Sequence, residues 1–63
     1  MQKFIGEELK TKRTIAKKTQ VEMAKAVGVS LQAYRWWEQG VSNPKPENLI
    51  KLKFVLQNNE NIT

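Results

Sequence analysis

Apolar residues recur along this chain at helical spacing rather than in strict alternation. Ile5, Leu9 and Ala16, with Lys10, Lys12 and Arg13 between them, predict an amphipathic helix from Gln2 to about Lys17. Thr19 followed three residues later by Glu22 is a capping box, whose side chains satisfy two orphan backbone donors and start a second helix. Met23, Ala24 and Val27 form its apolar face, and Gly28 supplies a left-handed stop. Only Gly28 and Val29 lie before Ser30, a second good N-cap, which opens a helix from Leu31 to Glu38. The stretch Val41-Ser42-Asn43-Pro44-Lys45-Pro46 carries loop formers, with Pro46 suited to the first position of a last helix. That helix shows the stripe Leu49, Leu52, Val55 and Leu56. The polar segment Gln57 to Thr63, with Ile62 as its one apolar side chain, reads as a frayed end.

These elements predict an all-α chain forming a single domain over residues 1–63, with no internal repeat or dividing linker. A chain this short buries only about 60% of its unfolded surface, so stability should be marginal. Two short helices joined by a tight glycine-containing turn form the helix-turn-helix unit, whose second helix enters the major groove of DNA.

At 100° per residue, Ala33, Tyr34 and Trp37 cluster on one side of the third helix and should pack inward. Leu31, Gln32, Arg35 and Trp36 fall on the opposite side. An amide such as Gln32 can pair with adenine N6 and N7, and a guanidinium such as Arg35 with guanine O6 and N7, or with a phosphate instead. Leu31 and Trp36 suit a thymine methyl or the sugar-phosphate backbone, and equally suit a protein surface.

Composition narrows the chemistry. The chain has no cysteine and no histidine, which removes disulfides, a zinc site and imidazole acid/base catalysis. The expectation is therefore no enzyme, no metal, no cofactor and no small-molecule substrate. No apolar run approaches the ~20 residues that span a bilayer, and no signal-type stretch opens the chain, which predicts a soluble intracellular protein without a membrane partner. Eleven Lys and Arg against six acids leave a net charge of +5 and a pI near 9.8. Such a field attracts polyanions, nucleic acid first and anionic membrane surfaces second, and a merely solubilising surface is the plain alternative. The spacing of the second and third helices selects nucleic acid.

The residues T-Q-V-E-M-A-K-A-V-G-V-S from Thr19 and W-E-Q-G-V-S-N-P-K-P-E-N-L from Trp37 resemble the helix-turn-helix family of lambdoid phage repressors and Cro proteins, the xenobiotic-response-element type. The resemblance runs from Leu9 to about Leu56. It implies a compact four- to five-helix bundle of lambda-repressor-like type that binds specific double-stranded DNA. The implied protein is a transcriptional regulator, usually a repressor of phage or mobile-element type. It would act as a homodimer on a two-fold-symmetric operator in the cytoplasm of a bacterium, associated with the nucleoid when bound. Position by position, it implies base contacts from Leu31, Gln32, Arg35 and Trp36. It implies phosphate contacts from Arg13, Thr19, Gln20, Ser30, Gln39, Ser42, Asn43 and Lys45, and an ion pair between Arg13 and Glu38. Lys17 stands where the family often has a helix-ending glycine. The alternative is a helix-turn-helix module of antitoxin or adaptor type, which would set Leu31 and Trp36 against a protein.

Overall fold

The computed structural model describes residues 6–60 and forms them into four helices: α1 (Gly6–Ile15), α2 (Gln20–Val27), α3 (Leu31–Gln39) and α4 (Pro46–Glu60). There is no strand among the described residues. The expected beginning of the first helix, Gln2 to Ile5, and the apolar Ile62 lie outside them.

Local chemistry accounts for each boundary. The Thr19 hydroxyl accepts the Glu22 N–H at 3.0 Å, while the Glu22 carboxylate accepts the Thr19 N–H at 2.8 Å, closing the capping box of α2. Ser30 caps α3 by accepting the Ala33 N–H at 3.1 Å. Gly28 and Gly40 end α2 and α3 with φ of 89° and 82°, a backbone conformation that a side chain would strain. α3 therefore runs one residue past Glu38, to Gln39, before Gly40 stops it.

α1 ends at Ile15, two residues short of the expected Lys17, because Lys17 itself takes the left-handed conformation at φ 61°. The Lys17 N–H reaches the Thr14 carbonyl at 3.0 Å and the Lys18 N–H the Arg13 carbonyl at 3.2 Å, the two bonds of a Schellman cap. Lysine here takes the left-handed backbone that glycine adopts most readily. At the other end of the chain α4 continues to Glu60, so the residues from Gln57 to Glu60, expected to fray, extend the last helix.

The core is drawn from every helix: Leu9 of α1, Met23, Ala24 and Val27 of α2, Tyr34 and Trp37 of α3, Leu52 and Leu56 of α4. Ala16, Val29 and Val55 pack against it, while Ala33 and Leu49, placed on inward stripes by the sequence, are only half-buried. Tyr34 and Trp37 meet edge to face, with ring centroids 5.9 Å apart. α3 packs on both α1 and α2, and α4 packs on α2.

One close approach sets the angle of α1 against α3. A Cβ built on Gly6 would lie 2.3 Å from the Glu38 carbonyl oxygen and 2.9 Å from that of Trp37. The backbone at the start of α1 thus rests directly on backbone at the end of α3, a contact only glycine permits.

Candidate nucleic-acid interface

Burial divides α3 into two faces. Tyr34 is fully buried and Trp37 is 7% exposed, whereas Leu31 and Trp36 are 38% and 43% exposed. Gln32 and Arg35 are exposed beside them. The outward face is thus an amide, a guanidinium and two large apolar groups, held out because Tyr34 and Trp37 anchor the opposite side.

Of the remaining candidate residues, Arg13 lies in α1 and Gln39 ends α3, and the others sit at helix starts and in the loop after α3. Thr19 and Ser30 are exposed N-caps whose hydroxyl oxygens are engaged by helix N–H groups. Gln20, first in α2, is half-buried, while Gln39, Asn43 and Lys45 are exposed and Ser42 is half-buried. The loop is tied to α3 at its root, where the Trp36 carbonyl accepts N–H groups from Val41 at 2.9 Å and Ser42 at 3.4 Å.

Arg13, Gln20 and Glu38 come together in one polar cluster. Arg13 Nε donates to Glu38 Oε2 at 2.6 Å and Arg13 Nη2 to Oε1 at 3.3 Å, a two-pronged ion pair. Gln20 Nε2 donates to the same Oε1 at 3.0 Å, and the Tyr34 hydroxyl donates to Oε2 at 2.5 Å. Arg13 Nη1 turns back to the Lys18 carbonyl at 2.9 Å. One carboxylate therefore links α1, the α1–α2 connection, the start of α2 and the last turns of α3. The Glu38 side chain is 4% exposed and that of Arg13 14%.

Electrostatics follow from this packing. Burial by itself pushes the Glu38 carboxyl up, but hydrogen bonds from Arg13, Tyr34 and Gln20 outweigh it and hold the group below its ordinary value. The Arg13 guanidinium is held protonated first of all by its hydrogen bonds to Glu38. Burial, reinforced by the Glu38 carboxylate, pushes the Tyr34 phenol well above its ordinary value. No buried side-chain nitrogen or oxygen among the described residues lacks a hydrogen-bond partner.

The family resemblance implied the pair of Arg13 with Glu38 and helical spacing placed Tyr34 in the core, but neither joined Gln20 or the Tyr34 hydroxyl to that pair. The four-residue spacing of Tyr34 and Glu38 on one helix was the available signal for the second contact. Nothing local signalled the contacts of Gln20 or Gly6, which depend on how α1, α2 and α3 pack. Among the described residues no cluster of acidic side chains suits a metal ion, and no helix is long and apolar enough to cross a membrane.

Comparison with known proteins agrees with this architecture. A family model described as helix-turn-helix matches residues 9–52. A cryptic phage CTXphi transcriptional repressor, RstR of Vibrio cholerae, is 40% identical over 53 residues, covering 84% of this chain and 47% of its own length. The HTH-type transcriptional regulator DicA of Escherichia coli is 42% identical over 53 residues, covering 84% of this chain and 39% of its own. The chain thus spans less than half the length of these curated relatives. No solved structure matches significantly. Capped α2, the three-residue Gly28–Ser30 turn and α3 carry the family's defining unit, and the chain belongs to the helix-turn-helix family of phage-repressor and Cro type.

Proposed function

We propose that this chain binds double-stranded DNA in a sequence-specific manner as the DNA-binding domain of a transcriptional regulator, with α3 lying in the major groove. The observation that carries the reading is the outward face of α3, where Gln32 and Arg35 stand exposed between Leu31 and Trp36 above a firmly buried Tyr34 and Trp37. Gln32 and Arg35 read base edges, and Leu31 and Trp36 supply apolar contact.

Arg13, Thr19, Gln20, Ser30, Gln39, Ser42, Asn43 and Lys45 grip phosphates on either side of the groove, which sets register without reading sequence. The net charge of +5 suits that work. Arg13 is held by Glu38 and Lys18 through three of its five N–H groups, and Gln20 by Glu38 through one of its two, which leaves donors for a phosphate. Free N–H groups at the start of α2 add a partial positive charge.

The names of the two relatives, a phage transcriptional repressor and an HTH-type regulator, support repression by operator occupancy as the output. Two copies on a two-fold-symmetric operator, with half-sites about one helical turn apart, are the arrangement such a module uses. The reading places the protein in the cytoplasm, on the nucleoid when bound.

Selection of bound duplexes from a random pool tests this. The expected result is a single enriched motif with two-fold symmetry, and affinity that falls steeply with salt. Equal, weak affinity for every sequence overturns it. The exposed Leu31 and Trp36 also suit a protein partner, whose affinity would survive replacement of Gln32 and Arg35 by alanine, whereas DNA discrimination would not.

A further inference from the structure

The exposed side chains of α3 fall in two rows at four-residue spacing, Gln32 with Trp36, and Leu31 with Arg35 and then Gln39 at the helix end. Each row sets a group capable of paired hydrogen bonds beside a large apolar one. In the major groove, only the adenine–thymine pair carries both the N6/N7 edge that an amide reads and an apolar methyl. The row of Gln32 and Trp36 matches that combination. The row of Leu31 and Arg35 does not, since the guanine pair that a guanidinium reads has no methyl.

Trp36 is not free to turn inward. Its neighbour Trp37 is buried edge to face against Tyr34, which fixes the rotation of α3. Its own carbonyl holds the N–H groups of Val41 and Ser42, which fixes its backbone. The indole is therefore presented outward from an immobilised helix end. Side chains four residues apart have Cβ atoms about 5–6 Å apart, and stacked bases on one strand are about 3.4 Å apart. Both groups accordingly reach one base pair or two adjacent ones.

Resting on the DNA-reading role proposed above, we infer that Gln32 and Trp36 together read an adenine–thymine element. The Gln32 amide takes adenine N6 and N7, and the Trp36 indole takes the C5-methyl of the thymine in that same pair. The methyl, rather than a hydrogen bond, is what Trp36 recognises.

Deoxyuridine isolates this contact, because it removes the methyl and leaves base pairing intact. In the best duplex from the random-pool selection, each thymine of a half-site is replaced by deoxyuridine in turn. Binding is then measured for the native 63-residue chain, for Trp36→Ala and for Gln32→Ala. The native chain should lose about three- to five-fold at one position, the worth of one buried methyl. Trp36→Ala should bind more weakly and become indifferent to deoxyuridine there, while Gln32→Ala should stay sensitive to it. Gln32→Ala should instead ignore 7-deazaadenine at the adenine of that pair, which the native chain penalises. A native chain indifferent to every deoxyuridine overturns the inference but leaves DNA reading standing, as does a Trp36→Ala chain with undiminished sensitivity. Failure of the selection to enrich any duplex overturns both. Matching helical circular dichroism of the variants excludes misfolding as the cause.

Discussion

Gln20, the first residue of α2, donates its side-chain amide to Glu38 in the last turn of α3 across 3.0 Å. The same carboxylate accepts from Arg13 of α1 and from Tyr34 of α3, so a single buried anion braces α3 against both helices it packs on. In water such an anion would gain little from one partner. Here four donated hydrogen bonds offset its desolvation.

Replacing Glu38 by alanine leaves a mostly buried guanidinium and a buried phenol hydroxyl without their acceptor. The expected loss is ~3–5 kcal/mol, near the whole stability of a domain this small. Glu38→Gln, which retains acceptor capacity but no charge, should lose less. Urea unfolding of the three chains measures it, and a loss below about 1 kcal/mol for the alanine variant contradicts the role described.

The pH dependence has two arms of opposite sign. The Glu38 carboxyl is held below its ordinary 4.5 in the folded chain, so the unfolded chain takes up a proton first as the solution is acidified. The stability it contributes is complete above about that value and drains away as pH falls through the lower folded one. The Tyr34 phenol is raised above its ordinary 10.0, so its contribution is complete below that pH and is lost as pH climbs beyond it. Urea midpoints across the pH range should flatten on the acid side in Glu38→Gln and on the alkaline side in Tyr34→Phe.

Gly6→Ala should destabilise by ~1–3 kcal/mol, because its Cβ would press on the backbone carbonyls of Trp37 and Glu38, which cannot step aside. By contrast nothing lies within 4 Å of a Cβ at Gly28 or Gly40, where alanine pays only for its left-handed backbone. That strain is also ~1–2 kcal/mol, so the readout that separates the cases is geometry. Gly6→Ala should alter the near-ultraviolet signal of the adjacent Trp37, and Gly28→Ala should not.

Lys17→Gly is expected to stabilise by about 0.5–1 kcal/mol. It relieves a left-handed lysine at φ 61° and retains the two backbone bonds of the cap, at some cost in unfolded-chain entropy. A thermal melt that shifts downward would show that the lysine side chain contributes more than its backbone strain.

The two tryptophans should report separately. Iodide should quench the half-exposed Trp36 and spare Trp37, so Trp36→Phe should emit further to the blue and resist quenching. On DNA, the change in emission should disappear in the same variant. Persistence of the full change would place the DNA away from α3.

Much of the fold is legible locally because caps and stripes depend on residues within about one turn. Thr19 with Glu22, Ser30, Gly28 and the Met23, Ala24, Val27 face all appear where their spacing predicts. Lys17 shows the limit of residue preference, since the Schellman bonds hold a lysine where glycine is favoured and end α1 before its apolar pattern ends. The inward Tyr34 and Trp37 and the outward Leu31, Gln32, Arg35 and Trp36 also followed from helical geometry. The Ser30 N-cap fixes where the helix begins, and amphipathicity fixes its rotation.

By itself, then, the sequence determined that there are four helical segments, though not where the first and last of them end, the short turn between α2 and α3, and which side of α3 faces outward. Each of these is decided by neighbours a few residues away. Only the tertiary structure decided that Gln20 and the Tyr34 hydroxyl join Arg13 on Glu38, and that Gly6 rests on the carbonyls ending α3. Those contacts join residues from different helices, or turn a core side chain's polar tip toward a neighbour. They exist only at particular packing angles, which depend on how the shared core of Leu9, Met23, Tyr34, Trp37 and Leu52 fills space.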